Sequence, residues 1–456
     1  LESKRTSLPT VRMHRAKMLA EQLSPETKQE TVSSFPVAAG GSSFFSAITR
    51  APPDAIFGLK AAYTADKDAN KVDLGIGAYR TNEGKPYVLQ VVRKAERQIV
   101  NDETLNKEYL AIEGLQSFTS AAAKLLFGES SEAIKSGRVV TVQSLSGTGS
   151  LRLVADFVHR FMPKSKVYLS NPTWGNHKAI LKDAGIPDGE YKYWNAKTRG
   201  LDLDGMLADL EKAPNQSVIM LHACAHNPTG VDPTKDQWKK IASVMKSKDH
   251  LPWFDSAYQG FATGDIEGDA WAIRYFTEQG FEMLTSQSFA KNFGLYCERA
   301  GTSGVVCADK AKAENVLSQL QVLIRPMYSN PPKHGALIVS TVLNNKELFA
   351  EWREELKGMA NQIIRCRKLL FDELKQLGTR LFHHKSTGTP GDWTNIISQI
   401  GMFSYTGLSV AQCDVLIKKH HIYLLSNGRI SMCGVNTRNV SYVARAIDDV
   451  VRNVSK

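Results

Sequence analysis

No run of about 18 uncharged apolar residues occurs along the 456-residue chain, so the sequence offers no membrane-spanning helix. Its six cysteines, Cys224, Cys297, Cys307, Cys366, Cys413 and Cys433, make no C-x-x-C pair and no regular framework. That excludes a disulfide scaffold and reads as the reduced thiols of an intracellular protein. Like charges are never blocked. Lys plus Arg number 57 against 46 Asp plus Glu, a net charge of +11, but the cations are scattered. A solvated surface, or service to anionic metabolites, explains them better than nucleic acid or an anionic membrane. No internal repeat or low-complexity tract is visible. What remains is a globular composition, 42% hydrophobic, long enough for about two or three domains.

The opening segment differs from the rest. Lys4, Arg5, Arg12, Arg15 and Lys17 stand against the single acid Glu2, and a Ser/Thr/Gly-rich stretch follows over 31–43. A basic, acid-poor start resembles a transit peptide, yet Glu21, Glu26 and Glu30 depart from that pattern. The expectation is a flexible extension over 1–45, in a cytoplasmic or mitochondrial protein. Beyond Ala51-Pro52-Pro53, short apolar runs at 139–142, 166–169, 218–223, 253–254, 283–286 and 304–307 alternate with helical periodicity over 151–161, 203–210, 235–247 and 311–320. Strands alternating with helices imply an α/β fold with a mostly parallel sheet covered on both faces. A long helical stretch over 346–377 and a differently patterned C-terminal part follow. Asn427-Gly428 signals a hairpin there, within a smaller α+β domain.

In such a sheet, ligands bind beyond the carboxyl ends of the strands. Ser146-Gly147-Thr148-Gly149-Ser150 follows an apolar run and opens a helix near Leu151; its small residues suit an anion at a helix N-terminus, or a simple turn. His222 and His226, flanking Cys224, suggest zinc only weakly, because Pro228 and Gly230 make this stretch a loop. Asn227, held by the Asn-Pro turn, is instead a hydrogen-bond donor at a strand end. Asp255, directly after Trp253-Phe254, requires a cationic partner if it is buried in its ionised form; a helix N-cap is the plainer alternative. Lys291 sits among Phe289, Ala290 and Phe293, where desolvation favours a neutral, nucleophilic amine, although many such lysines extend to water. Arg299 follows shortly after. Together, an anion cradle, an isolated lysine, a buried acid, a rigid Asn and an Arg fit pyridoxal 5'-phosphate, which needs a Schiff-base lysine, an acid for its ring nitrogen and donors for its phosphate.

The runs Asp73-Leu74-Gly75-Ile76-Gly77-Ala78-Tyr79-Arg80, Ser144-Leu145-Ser146-Gly147-Thr148-Gly149, 222–232, 254–261 and 286–296 closely resemble the signatures of the aspartate aminotransferase family of fold-type I pyridoxal phosphate enzymes. The resemblance extends from Ala51 to about Val451. It implies Lys291 as the Schiff-base lysine, Asp255 as partner of the pyridinium nitrogen and His177 as support for that carboxylate. By the same resemblance Asn227 and Tyr258 hold the phenolic oxygen and Trp174 stacks on the ring. Ser146, Gly147, Thr148, Ser288 and Arg299 take the phosphate, with Tyr109 reaching it from a second subunit. Arg429, with Gly77 nearby, is implied for the α-carboxylate, and Arg325 for the distal carboxylate of a neighbouring subunit's substrate.

The implied activity is reversible transamination of L-aspartate and 2-oxoglutarate to oxaloacetate and L-glutamate, in a homodimer with shared sites, acting on small dicarboxylic amino and oxo acids without metal, nucleic acid or membrane. An aromatic aminotransferase and a basic binding protein that has lost catalysis are the rival readings. Two departures from the family pattern are Cys297, where Asn is usual, and Pro326-Met327-Tyr328 directly after Arg325. The implied division is an arm and part of the small domain over 46–85, a large cofactor domain over 86–358 and a small domain over 359–456.

Overall fold

The computed structural model describes residues 44–378 and 393–454, so the extension expected over 1–45 lies almost wholly outside the described residues. Contacts divide the chain into residues 1–58 and residues 59–456. In the first unit, Asp54 Oδ1 accepts the backbone N–H groups of Ile56 at 2.9 Å and Phe57 at 2.8 Å, opening the helix Ala55–Ala65 as an Asp cap does.

In the second unit the apolar runs become a seven-stranded sheet. Its strands, in chain order, are β1 (Val139–Leu145), β2 (Val167–Asn171), β3 (Asp188–Lys192), β4 (Val218–His222), β5 (Leu251–Ser256), β6 (Met283–Ser288) and β7 (Ala300–Val306). The spatial order is β1-β7-β6-β5-β4-β2-β3. Strand β7 runs antiparallel to both neighbours, while the pairs from β6 through to β3 are parallel. Edge strand β3, with sequence DGEYK and alternating exposure, carried no apolar signal in the sequence.

Successive residues of a strand point to opposite faces, and the core divides accordingly. Met220, Trp253 and Leu284 pack beneath helices Ser146–Phe161 and Lys310–Tyr328. Their neighbours Ile219, Leu221, Phe254 and Met283 pack on the other face with Trp238, Ile241 and Met245 of Lys235–Ser247 and with Phe276 of Trp271–Glu278. Both faces are apolar, which is why the strands read as continuous hydrophobic runs.

A third core is organised by the helix Lys346–Gln376. Its buried residues Leu348, Trp352, Leu356, Met359, Ile363, Leu370 and Leu374 recur at helical spacing and form one stripe. That stripe meets Val443, Ile447 and Val450 of the helix Val440–Asn453.

Two sequence expectations need correction. The helix after β1 begins at Ser146, not near Leu151, so the Ser/Gly run is the helix's own first turn. Asn427-Gly428 closes a tight turn, with the Gly428 N–H donating to Leu425 O at 2.9 Å and the Leu425 N–H to Arg429 O at 3.3 Å, but the pairing extends no further into a two-stranded hairpin. Ile422–Tyr423 pairs in parallel with Val72–Asp73, and Arg429–Ser431 pairs antiparallel with Phe403–Tyr405. Long-range partners that bury both faces outcompete the local turn preference. No helix among the described residues is long and apolar enough to cross a membrane.

Candidate active site

Four strands end at one edge of the sheet: β1 at Leu145, β4 at His222, β5 at Ser256 and β6 at Ser288. Strand β7, running the other way, begins there at Ala300, directly after Arg299. The register His222↔Asp255↔Ser286 brings the critical turns side by side.

At the end of β1 the helix begins without any side-chain cap, and Ser146 takes a φ of 61°. Ser146 Oγ lies 3.0 Å from Ser288 Oγ, and the Ser288 hydroxyl also accepts the Ala290 N–H at 3.2 Å. Arg299 has a φ of 55° and donates from Nη1 to Tyr296 O at 2.8 Å. Non-glycine residues in the left-handed region carry strain that surrounding structure must hold in place. Part of that hold is close packing: a β-carbon on Gly301 would stand 2.6 Å from Ser146 Cα. Uncapped N–H groups and two hydroxyls therefore meet at the start of the helix, with Arg299 on the adjoining strand entry, a donor set that suits an anionic phosphate.

Asp255 is buried at the end of β5. Its Oδ2 lies 3.1 Å from His177 Nε2, while Oδ1 has no protein donor among the described residues. His177 Nδ1 is 2.8 Å from Thr173 Oγ, Thr173 Oγ is 3.3 Å from His222 Nε2, and His222 Nδ1 faces the Asn227 N–H at 3.4 Å. Hydrogen-bond logic assigns the tautomers. Because the Asn227 N–H donates to His222 Nδ1, the neutral His222 donates from Nε2 to Thr173, Thr173 donates to His177 Nδ1, and His177 Nε2–H donates to Asp255. Burial, with the His177 ring beside it, pulls the His222 pKa down to about 3, in keeping with its neutral role. Burial alone would raise the pKa of Asp255; the hydrogen bond that His177 donates, with the electrostatic influence of His177, His222 and Lys291 around it, outweighs burial, and the carboxyl is held below its ordinary range.

Lys291 follows β6, with Nζ 5.0 Å from the centroid of the buried Tyr258 ring and no ion pair among the described residues. Burial lowers its pKa; Asp255 works the other way, and the charges of Arg299 and Arg429 add to the lowering. The turns carrying Lys291 and Tyr258 are tied together where Asn292 Nδ2 donates to Gln259 O at 3.2 Å. The rings of Trp174 and His177 meet edge to face at 5.3 Å.

Asn227 is held by a loop in which the Asp232 carboxylate accepts the N–H groups of Ala225 at 2.6 Å and His226 at 2.9 Å. Its Oδ1 accepts from Arg429 Nη1 at 3.3 Å, which leaves the amide N–H₂ as the outward donor. Arg429, 2% exposed, also donates from Nη2 to Gly75 O at 2.7 Å, while its Nε has no partner. The guanidinium carbon stands 4.1 Å over the Phe403 ring, and a β-carbon on Gly77 would stand 2.7 Å from Phe403 Cζ. Arg429 is thus a buried arginine with an unspent donor and no acid partner among the described residues, an arrangement that suits a carboxylate.

The His222 and His226 pair spends its ring nitrogens on hydrogen bonds, His226 with Ser170 and Thr229 at 2.8 Å each. Tyr109 and Arg325 stand apart from this convergence. Tyr109 is exposed, and Arg325, also exposed on the last turn of Lys310–Tyr328, donates to Ser329 Oγ. Pro326 lies within that helix, and Cys297 is exposed. Thr173, His222 as a relay, and Phe403 are site residues that sequence reading missed. Thr173 lay within the quoted Asn171-Pro172-Thr173-Trp174 run, but nothing in the sequence joined Phe403 to Arg429.

The description "Aminotransferase class I and II" is that of a family model matching residues 69–447. The chain belongs to this family. Among curated class I and II aminotransferases, the cytoplasmic aspartate aminotransferase of Gallus gallus is 50% identical over 418 residues, covering 90% of this chain and 99% of that protein. The mitochondrial aspartate aminotransferase of the same organism is 51% identical over 415 residues, covering 91% and 96%. A solved structure of the aromatic-amino-acid aminotransferase from Burkholderia pseudomallei, covalently bound to pyridoxal phosphate, superposes with a TM-score of 0.85 at 43% identity, covering 90% of this chain and 99% of that one.

Proposed function

We propose that the chain catalyses reversible transamination between L-aspartate and 2-oxoglutarate, using pyridoxal 5'-phosphate, with ping-pong kinetics. One observation carries the proposal: Lys291, the His177-supported Asp255 and the half-satisfied Arg429 converge at one sheet edge of a chain half identical to aspartate aminotransferases. The residues fit the cofactor, because an uncapped helix start beside Ser288 and Arg299 suits its phosphate and Asp255 Oδ1 is left for a ring N–H. When bound, pyridoxal phosphate supplies the electron sink that stabilises negative charge at the substrate's Cα.

The chain's own residues do the rest. Ser146, Gly147, Thr148, Ser288 and Arg299 bind phosphate. Asn227 and Tyr258 hold the phenolic oxygen, and Trp174 covers the ring. Asp255, kept ionised by His177, holds a proton on the ring nitrogen. Arg429 grips the α-carboxylate beside Gly77. Lys291, whose lowered pKa favours the neutral amine, would accept the Cα proton and deliver it to the carbon on the cofactor's side of the substrate nitrogen, acting as base and then as acid.

Tyr109 and Arg325 belong, in this reading, to a neighbouring subunit's site, Tyr109 on the phosphate and Arg325 on the distal carboxylate of a dicarboxylate. Their exposure supports a homodimer with shared sites. Leu105 and Tyr109, exposed beside Asn330 and His334 in an open groove, support it further. The pairing of Val72–Asp73 with Ile422–Tyr423 supports grouping part of the 46–85 stretch with residues 359–456 as a small domain beside a large one over 86–358. Relatives named for the cytoplasm and the mitochondrion make these the compartments proposed.

Initial rates with aspartate, phenylalanine and alanine as competing amino donors test the reading. Aspartate should lead. A clear preference for phenylalanine would replace the proposal with an aromatic aminotransferase.

A further inference from the structure

Arg367 lies on the buried stripe of the helix Lys346–Gln376, 2% exposed, with no acidic partner among the described residues. Among the described residues, the hydrogen bonds of its guanidinium all go to backbone carbonyls. Nη1 donates to Ile396 O at 2.9 Å, and Nη2 donates to Gly401 O at 2.8 Å and to Phe403 O. Burial pulls its pKa down to about 9, so it stays charged at neutral pH; the three carbonyls offset part of the desolvation cost, and Nε has no partner among the described residues. All of those bonds fall on one segment, 396–403.

That segment leads into the candidate site. Phe403 presents its ring to the Arg429 guanidinium at 4.1 Å, meets the Tyr258 ring edge to face at 6.1 Å, and fills the space that a side chain at Gly77 would need. The Phe403–Tyr405 strand pairs with Arg429–Ser431. The segment also docks on the Asn227 loop, where the Ile400 N–H donates to Gly230 O at 2.7 Å. Gln399 ties the far side, its Oε1 accepting from Ser404 Oγ at 2.7 Å and Tyr405 N at 3.0 Å. The orientation of Arg429 is therefore set on one flank by a phenylalanine whose backbone is clamped from below.

We propose that Arg367 is a positioning residue for α-carboxylate recognition: by holding the carbonyls of Ile396, Gly401 and Phe403 it fixes the Phe403 ring and, through it, the aim of Arg429. The inference rests on the reading of Arg429 given above. A guanidinium fork can reach several carbonyls at once, whereas a lysine ammonium is a point charge and a methionine supplies no donor.

The test uses the pyridoxal phosphate-loaded enzyme and its Arg367→Met, Arg367→Lys and Arg429→Lys variants. KM for aspartate, 2-oxoglutarate and alanine is measured with kcat, calorimetric affinity for succinate and melting temperature. Every one of these substrates carries an α-carboxylate, so Arg367→Met should raise all KM values by about tenfold, as expected for weakening a charge-assisted contact, with a smaller change in kcat. Succinate affinity should fall in step, and Arg367→Lys should recover part of the loss. A lowered melting temperature with unchanged KM values and succinate affinity overturns the inference. Should Arg367→Met fail to fold, Gln399→Ala, which loosens the same segment from its other side, is judged by the same KM criterion. If Arg429→Lys leaves the KM values unchanged, the reading of Arg429 itself fails; if it raises them and the Arg367 variants do not, only the present inference fails.

Discussion

Replacing Thr173 by Val keeps the shape of the side chain but removes the hydroxyl that accepts from His222 and donates to His177. Two ring nitrogens then lose their partners: His177 Nδ1, in a fully buried ring at 2.8 Å, and His222 Nε2, in a nearly buried ring at 3.3 Å. A buried polar group left unsatisfied costs about 1 to 3 kcal/mol. The longer bond is the weaker, and Thr173 is itself only half-buried, so the combined loss should lie near about 2 to 3 kcal/mol, the lower part of that range for two groups. With an unfolding entropy of about 2.1 cal/mol/K per residue, a chain of this length loses about 1 °C of melting temperature per kcal/mol, giving a fall of about 2 to 3 °C. The functional effect should be larger. Without the Thr173 O–H the His177 ring is hydrogen-bonded, among the described residues, at Asp255 alone. Loosening that hydrogen bond, which to a charged group is worth about 1.5 to 3 kcal/mol, should cost up to about 10- to 100-fold in turnover. Thr173→Ser should restore both properties, since it returns the hydroxyl. The assay is a thermal melt together with kcat on aspartate for the three proteins. A valine variant melting within about 1 °C of the parent, and turning over within about twofold of it, would show that the relay does not support Asp255.

Lys291→Ala should still bind pyridoxal phosphate noncovalently while losing at least about 10²- to 10⁴-fold in turnover, and borohydride reduction of the parent should map the cofactor label to Lys291 alone. Because burial lowers the Lys291 pKa from 10.5, its neutral form is gained as pH rises through a lower value. The rate at which cofactor-free chain captures pyridoxal phosphate, followed by its visible band, should therefore climb with pH with a midpoint below 10.5; a midpoint at or above 10.5 would contradict the burial argument. Asp255→Asn should keep the fold and the bound cofactor but lose most activity, because an amide cannot hold the ring nitrogen protonated; near-unchanged turnover would reduce Asp255 to a structural cap. Arg325→Ala should weaken aspartate and 2-oxoglutarate by about tenfold or more and phenylalanine far less, and mixing it with Lys291→Ala subunits should restore activity in hybrids. Hybrids with no gain would refute the cross-subunit role.

Local chemistry made much of this protein readable without coordinates. Continuous apolar runs announced the central strands because both faces of the sheet are covered, and the helix Lys235–Ser247 was legible from its periodicity; the structure adds a Thr234/Gln237 capping box at its start. Small, polar or charged residues directly after those strands marked where Lys291, Asp255, Asn227 and Ser146 meet, because strand ends in such a sheet share one edge. Other features depended on groups far apart in the chain. Edge strand β3 has no apolar run, since Tyr191 alone of its five residues is buried. The Asn427-Gly428 turn is a sound local reading, yet the partners of its flanks, Val72–Asp73 and Phe403–Tyr405, are decided by burial across the fold. The direction of the hydrogen-bond relay through Thr173, and the clamp from Arg367 to Phe403, exist only once helix, loop and strand are packed together. A side chain's residue type reports which bonds it can make; which bond it makes inside a dry core is settled by what the fold brings within about 3 Å of it.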